Sequence, residues 1–182
     1  MFVYVIVFVL VFILIYFGVT YNSLVKLNNI FKEAFSTMDV YLKKRWDLIP
    51  NIVETVKGYA KHEKDTLKEV IELRSSNYDN MGSEEKIDIN NKLTHDIIKL
   101  MAISEAYPDL KANENFKDLA NQLSKVEDEI ANSRKYYNGI VRLVNDKVLM
   151  FPSNIVAMIC GFKVQKMFEI DEKERNNVKV EL

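Results

Sequence analysis

Breakers and reactive side chains are scarce in this chain: one cysteine, three prolines and five glycines among 182 residues. Cys160 cannot form an internal disulfide, and with no Cys or His near it in the sequence it reads as a small buried hydrophobe rather than a metal ligand. So few glycines and prolines disfavour a sheet with tight turns and favour long helices. Neither sign of charge dominates, since 25 Lys and Arg face 26 Asp and Glu, so the basic field of a nucleic-acid binder is absent and no nucleic-acid partner is expected. The five glycines contain neither phosphate-binding pattern, G-x-x-x-x-G-K-[ST] or G-x-G-x-x-G, and no G-x-S-x-G elbow positions a nucleophile. Glu-x-x-His, the pair by which helical bundles hold metals, does not occur, and His62 and His95 stand apart as surface residues. These absences assign no catalytic residue, no cofactor and no metal, and the chain reads as a non-enzyme.

Charge is also missing from the first 25 residues. The 18-residue run from Phe2 to Val19 would be about 27 Å long as a helix, close to the hydrocarbon thickness of a bilayer. No basic n-region precedes it and Gly18-Val19-Thr20 is a poor cleavage match, so it reads as an uncleaved anchor rather than a secretion signal. Tyr4, Tyr16 and Tyr21 suit the two interfacial belts. Lys26 and Lys32 follow the run and no basic side chain precedes it, which predicts a single pass at the cell membrane, with a short N-terminus outside and the remainder in the cytoplasm.

After the span, Leu24, Leu27, Phe31, Ala34, Met38 and Tyr41 recur in steps of three and four, one narrow helical seam whose spacing suits coiled-coil-like packing. Pro50 predicts a turn or kink where the chain reverses. A second helix carries Val53, Val56, Ala60, Leu67, Val70 and Ile71 to about Arg74, and the polar stretch from Ser75 to Gly82 reads as a loop. Ser83 caps a third helix with Glu84 and Glu85 in its first turn and a seam of Ile87, Leu93, Ile97, Leu100 or Met101, and Ser104. It stops at Tyr107, ahead of Pro108. Asn113 caps the fourth helix, which runs through Phe116, Leu119, Leu123, Val126, Ile130, Tyr137, Ile140 or Val141, Val144 and Val148 until Pro152 ends it. Ser153 begins a short turn through Ile159, closed by Gly161, with Phe162 and Phe168 folding back and a mobile polar tail after Asp171. The fold expected is all-α: a transmembrane helix continuing into an antiparallel up-and-down four-helix bundle, then a short helical turn and tail. The divisions are an anchor over 1–21, the bundle over 22–151 and the C-terminal piece over 152–182.

Two polar stretches invite a functional reading. Lys43-Lys44-Arg45-Trp46 reads as the solvated end of the first helix. Arg134 and Asn138, at i and i+4, border the seam residue Tyr137, and an inward Arg or Asn needs partners. Asn22, Asp39 and Asp47 are available for that purpose, so Asn22, Asp39, Asp47, Arg134, Tyr137 and Asn138 form the candidate polar network or partner site.

Several stretches resemble the LemA family of bacterial membrane proteins. They are Tyr21-Asn22-Ser23-Leu24-Val25, the run from Met38 to Ala60 that includes Lys43-Lys44-Arg45-Trp46-Asp47-Leu48-Ile49-Pro50-Asn51, and the run from Glu105 to Phe116 that begins Glu105-Ala106-Tyr107-Pro108-Asp109-Leu110. Tyr137-Asn138 and Phe151-Pro152-Ser153-Asn154 complete the match, which covers nearly the whole chain in order. The resemblance implies an N-terminal membrane helix with a very short external end, a cytoplasmic antiparallel four-helix bundle and a relative associated with magnetosome membranes. It implies no defined enzymatic activity. The charged, Asn-rich run after Phe168 and the loop Asn77-Tyr78-Asp79-Asn80 depart from the family pattern.

The leading expectation is an interaction or scaffold module at the cytoplasmic membrane face, held in lipid through Phe2 to Val19 and bound to a protein partner, with a homo-oligomer also open. The alternatives are a ligand sensor or enzyme using Arg134, Tyr137 and Asn138, and a self-associating membrane-remodelling protein with an exposed stripe at Ile98 and Ala102.

Overall fold

A computed structural model describes residues 1–60, 63–73 and 77–168. Every regular element among them is helical: α1 (Phe2–Tyr59), α2 (Lys64–Leu73), a 3-10 turn (Tyr78–Asn80), α3 (Ser83–Ala106), α4 (Pro108–Ala112), α5 (Glu114–Leu149) and α6 (Ser153–Ile159). His62, Ser75, Ser76 and the tail after Asp171 lie outside the described residues. The chain forms two compact units, one of residues 1–37 with 134–167 and one of residues 38–133 with Phe168, and both α1 and α5 run through both.

The expected reversal at Pro50 does not occur, because α1 continues through it to Tyr59. Proline inside a helix removes one hydrogen bond and costs about 3 kcal/mol. Here the buried seam of Met38, Leu42, Trp46, Ile49, Val53 and Val56 stays in phase across it, and burying apolar side chains at roughly 1.5–3 kcal/mol each outweighs that loss. The reversal falls instead after Ala60, so the predicted second helix is divided: Val53 and Val56 belong to α1, while Leu67 and Val70 are buried on α2.

Cross-contacts set the helix directions within the second unit. Asp39 meets Lys86 and Arg45 meets Thr94, so α3 runs parallel to α1. Arg45 meets Glu127 and Tyr59 meets Asn113, so α5 runs antiparallel to both. A short connection returns α2 against α3, where Lys99 pairs with Glu69 at 2.7 Å. These directions are those of an up-and-down bundle.

The first unit contains the apolar run. Phe31 and Phe35 of α1 lie 5.6 and 6.0 Å, centroid to centroid, from Tyr137 of α5. Further along α5, Val148 joins the cluster of Leu24, Val156 and Ala157, against which Tyr16, Phe17, Cys160 and Phe162 also pack. Gly161, at φ +75°, closes α6, and the amide of Phe162 donates back to the carbonyl of Ala157 at 2.9 Å. That left-handed cap is open to glycine and strained for other residues. Residues 162–168 then turn back along α5. The Asn145 amide accepts from the Gln165 N–H at 2.7 Å and donates to its carbonyl at 2.9 Å, and the Tyr137 hydroxyl donates to the Lys166 carbonyl. Phe168 is buried.

Capping at the predicted positions is mixed. The Asn113 carboxamide accepts from the Phe116 N–H at 3.0 Å, the bond of an N-cap. Ser83 and Ser153 are instead the first residues of α3 and α6, after Gly82 and Pro152.

Candidate functional site

The second unit is built around a buried arginine. Arg45 is 2% exposed, which corrects its reading as part of a solvated helix end. One guanidinium nitrogen donates to both carboxylate oxygens of Glu127 at 3.0 and 3.1 Å and to Thr94 Oγ1 at 3.1 Å. The other donates to the backbone carbonyl and the Oδ1 of Asn90, both at 2.8 Å. One side chain of α1 thereby ties α3 to α5. The planar fork of arginine suits this divergent bonding, which a lysine ammonium would not reproduce. Only Nε of Arg45 has no partner.

Asn90 carries the network onward. Fully buried, it donates to the Lys86 carbonyl at 2.8 Å and lies 3.4 Å from the Tyr78 hydroxyl. Tyr78 donates to Asp39 at 2.8 Å, and Lys86 donates to the other oxygen of that carboxylate at 2.6 Å. The Lys86 ammonium also sits 4.9 Å from the centre of the Tyr78 ring, a cation–π position, and the Trp46 ring lies 5.2 Å from it, centroid to centroid. Tyr78 is the surprise of the loop, 3% exposed in a stretch whose composition is otherwise polar. Burial pushes its phenol far above the usual range, and the hydrogen bond to Asp39 and the charge of that residue act in the same direction.

The residues singled out from sequence are distributed differently from the expected network. Asp39 joins Tyr78 and Lys86, and Asp47 pairs with Lys43 on the surface of α1 at 2.8 Å. Asn22 is exposed on α1. Tyr137 is buried between Phe31 and Phe35, with its hydroxyl on the Lys166 carbonyl. Arg134 and Asn138 are half-buried beside it, and neither is without a partner. His95, expected at the surface, is half-buried on α3 and also has a partner. Ile98 and Ala102 are exposed on α3.

The sequence reads Arg45 and Trp46 as solvated and does not single out Tyr78, Lys86 or Asn90, yet all five belong to the centre or its walls. For three of them a signal existed, since Asn90 falls between the seam residues Ile87 and Leu93 of α3. Arg45 and Trp46 stand in register with Met38, Leu42 and Ile49, on the stripe that α1 buries. Nothing in the sequence pattern around Tyr78 distinguishes it from a solvated loop tyrosine.

This centre links α1, α3 and α5. Its charged groups are engaged with one another, and among the described residues no group of three or more His, Cys, Asp or Glu is placed to hold a metal ion. No catalytic arrangement of nucleophile, base and orienting group is evident there. α1 is the one described helix long and apolar enough to cross a membrane, and no residue of its apolar window is fully buried inside the protein.

Comparison with known proteins agrees with these features. The model of the LemA family matches residues 34–182. Protein LemA of Metamycoplasma hominis is 28% identical over 159 residues, covering 86% of this chain and 72% of that protein. Magnetosome protein MamQ 2 of Paramagnetospirillum magneticum is 23% identical over 175 residues, covering 82% of this chain, and magnetosome protein MamQ of Magnetospirillum gryphiswaldense is 25% identical over 174 residues, covering 81%. The aligned part spans 64% of the length of each of these MamQ proteins. An all-helical chain with an apolar N-terminal helix, matched by the family model over most of its length, belongs to the LemA family.

Proposed function

We propose that this protein is a non-enzymatic interaction or scaffold module, anchored in the cell membrane by residues 2–19 and presenting its helical bundle at the cytoplasmic face. The observation that carries this reading is the Arg45 centre. The buried charges of the bundle are engaged in holding its helices in register, so the bundle works as a rigid shape rather than a reaction vessel. A polar core whose charges are paired across helices favours one packing over alternatives, which suits a surface that must be recognised. Lys26 and Lys32, which follow the apolar run closely, support the cytoplasmic side. Relatives named as magnetosome proteins support a role in a membrane-bounded assembly, with a protein partner or a second copy of this chain.

Protease protection in sealed inside-out and right-side-out vesicles tests the sidedness, reading cleavage near 75–82. Cleavage confined to inside-out vesicles is expected, and cleavage confined to right-side-out vesicles overturns it. Cross-linking in intact membranes followed by purification tests the interaction. One or more discrete cross-linked products are expected, and a strictly monomeric, partnerless protein refutes the scaffold reading.

A further inference from the structure

After the apolar N-terminus, the longest uncharged stretch of the chain is residues 148–162, bounded by Lys147 and Lys163. One face of α6 is buried, with Val156 and Ala157 against Leu24 and beside Tyr16 and Phe17. A short helix packed on another in water should turn polar side chains outward. This one does the opposite: Met158 is 77% exposed and Ile159 67%, and in the turn before it Leu149, Met150 and Phe151 are 65, 62 and 79% exposed. Scattered exposed hydrophobics need no explanation, but a contiguous set does.

The path of the chain indicates what covers them. α5 runs towards the N-terminal end of α1, and α6 lies against Tyr16 and Phe17, which belong to the apolar run itself. Residues 162–168 then return along α5, held by Asn145 and Tyr137. The exposed apolar turn is therefore the far point of an excursion that reaches the level of the last turns of the anchor. Its backbone is largely self-satisfied, as lipid requires: Met150 N–H bonds the Asp146 carbonyl, Asn154 N–H that of Met150, Ile155 N–H that of Pro152, and Cys160 N–H that of Val156. Pro152 has no amide to satisfy, and the Ser153 hydroxyl donates to the Met150 carbonyl.

We propose that residues 149–161 are a second membrane element, a short re-entrant turn that inserts its exposed apolar face into the leaflet entered by the end of the anchor, with Lys147 and Lys163 reaching the headgroups. It rests on the reading of residues 2–19 as a membrane span. Long basic side chains at both ends of an inserted segment hold their ammonium groups in the headgroup layer.

Site-directed spin labelling of the full chain tests this, in vesicles of phosphatidylcholine and phosphatidylglycerol. In a Cys160→Ser background, single cysteines are placed by Phe8→Cys, Phe151→Cys, Met158→Cys and Ile98→Cys, and each label is read for relaxation by oxygen and by a water-soluble nickel chelate. The expected result is a ratio of oxygen to nickel accessibility at 151 and 158 raised towards that at 8, with 98 at the aqueous value. Aqueous values at 151 and 158 with a lipid value at 8 overturn the re-entrant turn alone. An aqueous value at 8 as well overturns the span and the turn together. Protection at 151 and 158 from both reagents places them in a contact between copies and also overturns the proposal.

Discussion

Replacing Arg45 by methionine tests the structural reading of the polar centre, because methionine keeps much of the volume and removes every hydrogen bond. The guanidinium leaves behind Asn90 Oδ1, buried and without its donor at 2.8 Å, and the Glu127 carboxylate. The Asn90 backbone carbonyl still receives the Thr94 hydroxyl at 3.1 Å. An orphaned buried acceptor costs about 1–3 kcal/mol. Breaking a fully buried ion pair by removing one partner costs about 3–5 kcal/mol, but the Glu127 side chain is 36% exposed and water rehydrates it, which lowers the pair's share. The sum expected for Arg45→Met is about 2–4 kcal/mol. Urea unfolding in micelles measures it through Trp46, the single tryptophan, buried against Tyr78 and adjacent in sequence to the substitution. Lys44→Met is the control, since Lys44 is exposed and such surface changes stay within about 0.5 kcal/mol. In the double variant Arg45→Met with Glu127→Leu, part of the loss should be recovered relative to additivity, because no carboxylate remains to be stranded. If Arg45→Met and Lys44→Met unfold at the same urea concentration, the centre does not hold the bundle and the argument fails.

Two further perturbations follow from the same unit. The Tyr78 phenol is held neutral in the folded state by burial and by Asp39, so its folded pKa lies above the unfolded value of about 10. Its contribution to stability is complete below that pH and is lost as pH rises beyond it, where the unfolded chain releases the proton first. Urea midpoints should therefore fall above about pH 10, and Tyr78→Phe should flatten that part of the curve; an unchanged alkaline slope in the variant rules out this origin. Pro50→Ala restores an amide donor within α1 and should raise the unfolding free energy by about 1–3 kcal/mol, read as a higher urea midpoint. A lower midpoint would mean that the proline ring makes packing contacts worth more than the hydrogen bond it removes.

The architecture was largely legible because it depends on periodicity and on breakers, both of which are local. The periodicity of α3 marks a seam of Ile87, Leu93, Ile97, Leu100 or Met101, and Ser104, and of these Ile87, Leu93, Ile97, Leu100 and Ser104 are buried. Pro50 misled because a proline is a local penalty, whereas helix continuation is decided by the sum of apolar contacts along a seam that passes straight through it. Arg134, Tyr137 and Asn138 attracted notice as polar residues beside a seam. The residues that organise the second unit, Arg45 and Asn90, lie 45 positions apart and share no sequence pattern.

By itself the sequence determined the apolar span, the all-helical class, the N-cap at Asn113 and the family. Each follows from composition, spacing or short motifs, whose physics acts over a few residues. Only tertiary structure decided which charges are buried, because a lysine or arginine in a seam can either turn out to solvent or meet a carboxylate brought from a distant helix. It also decided that Tyr78 enters the bundle, and that the apolar turn at 149–161 lies beside the end of the span, since chain reversals bring those segments together and no local pattern encodes them.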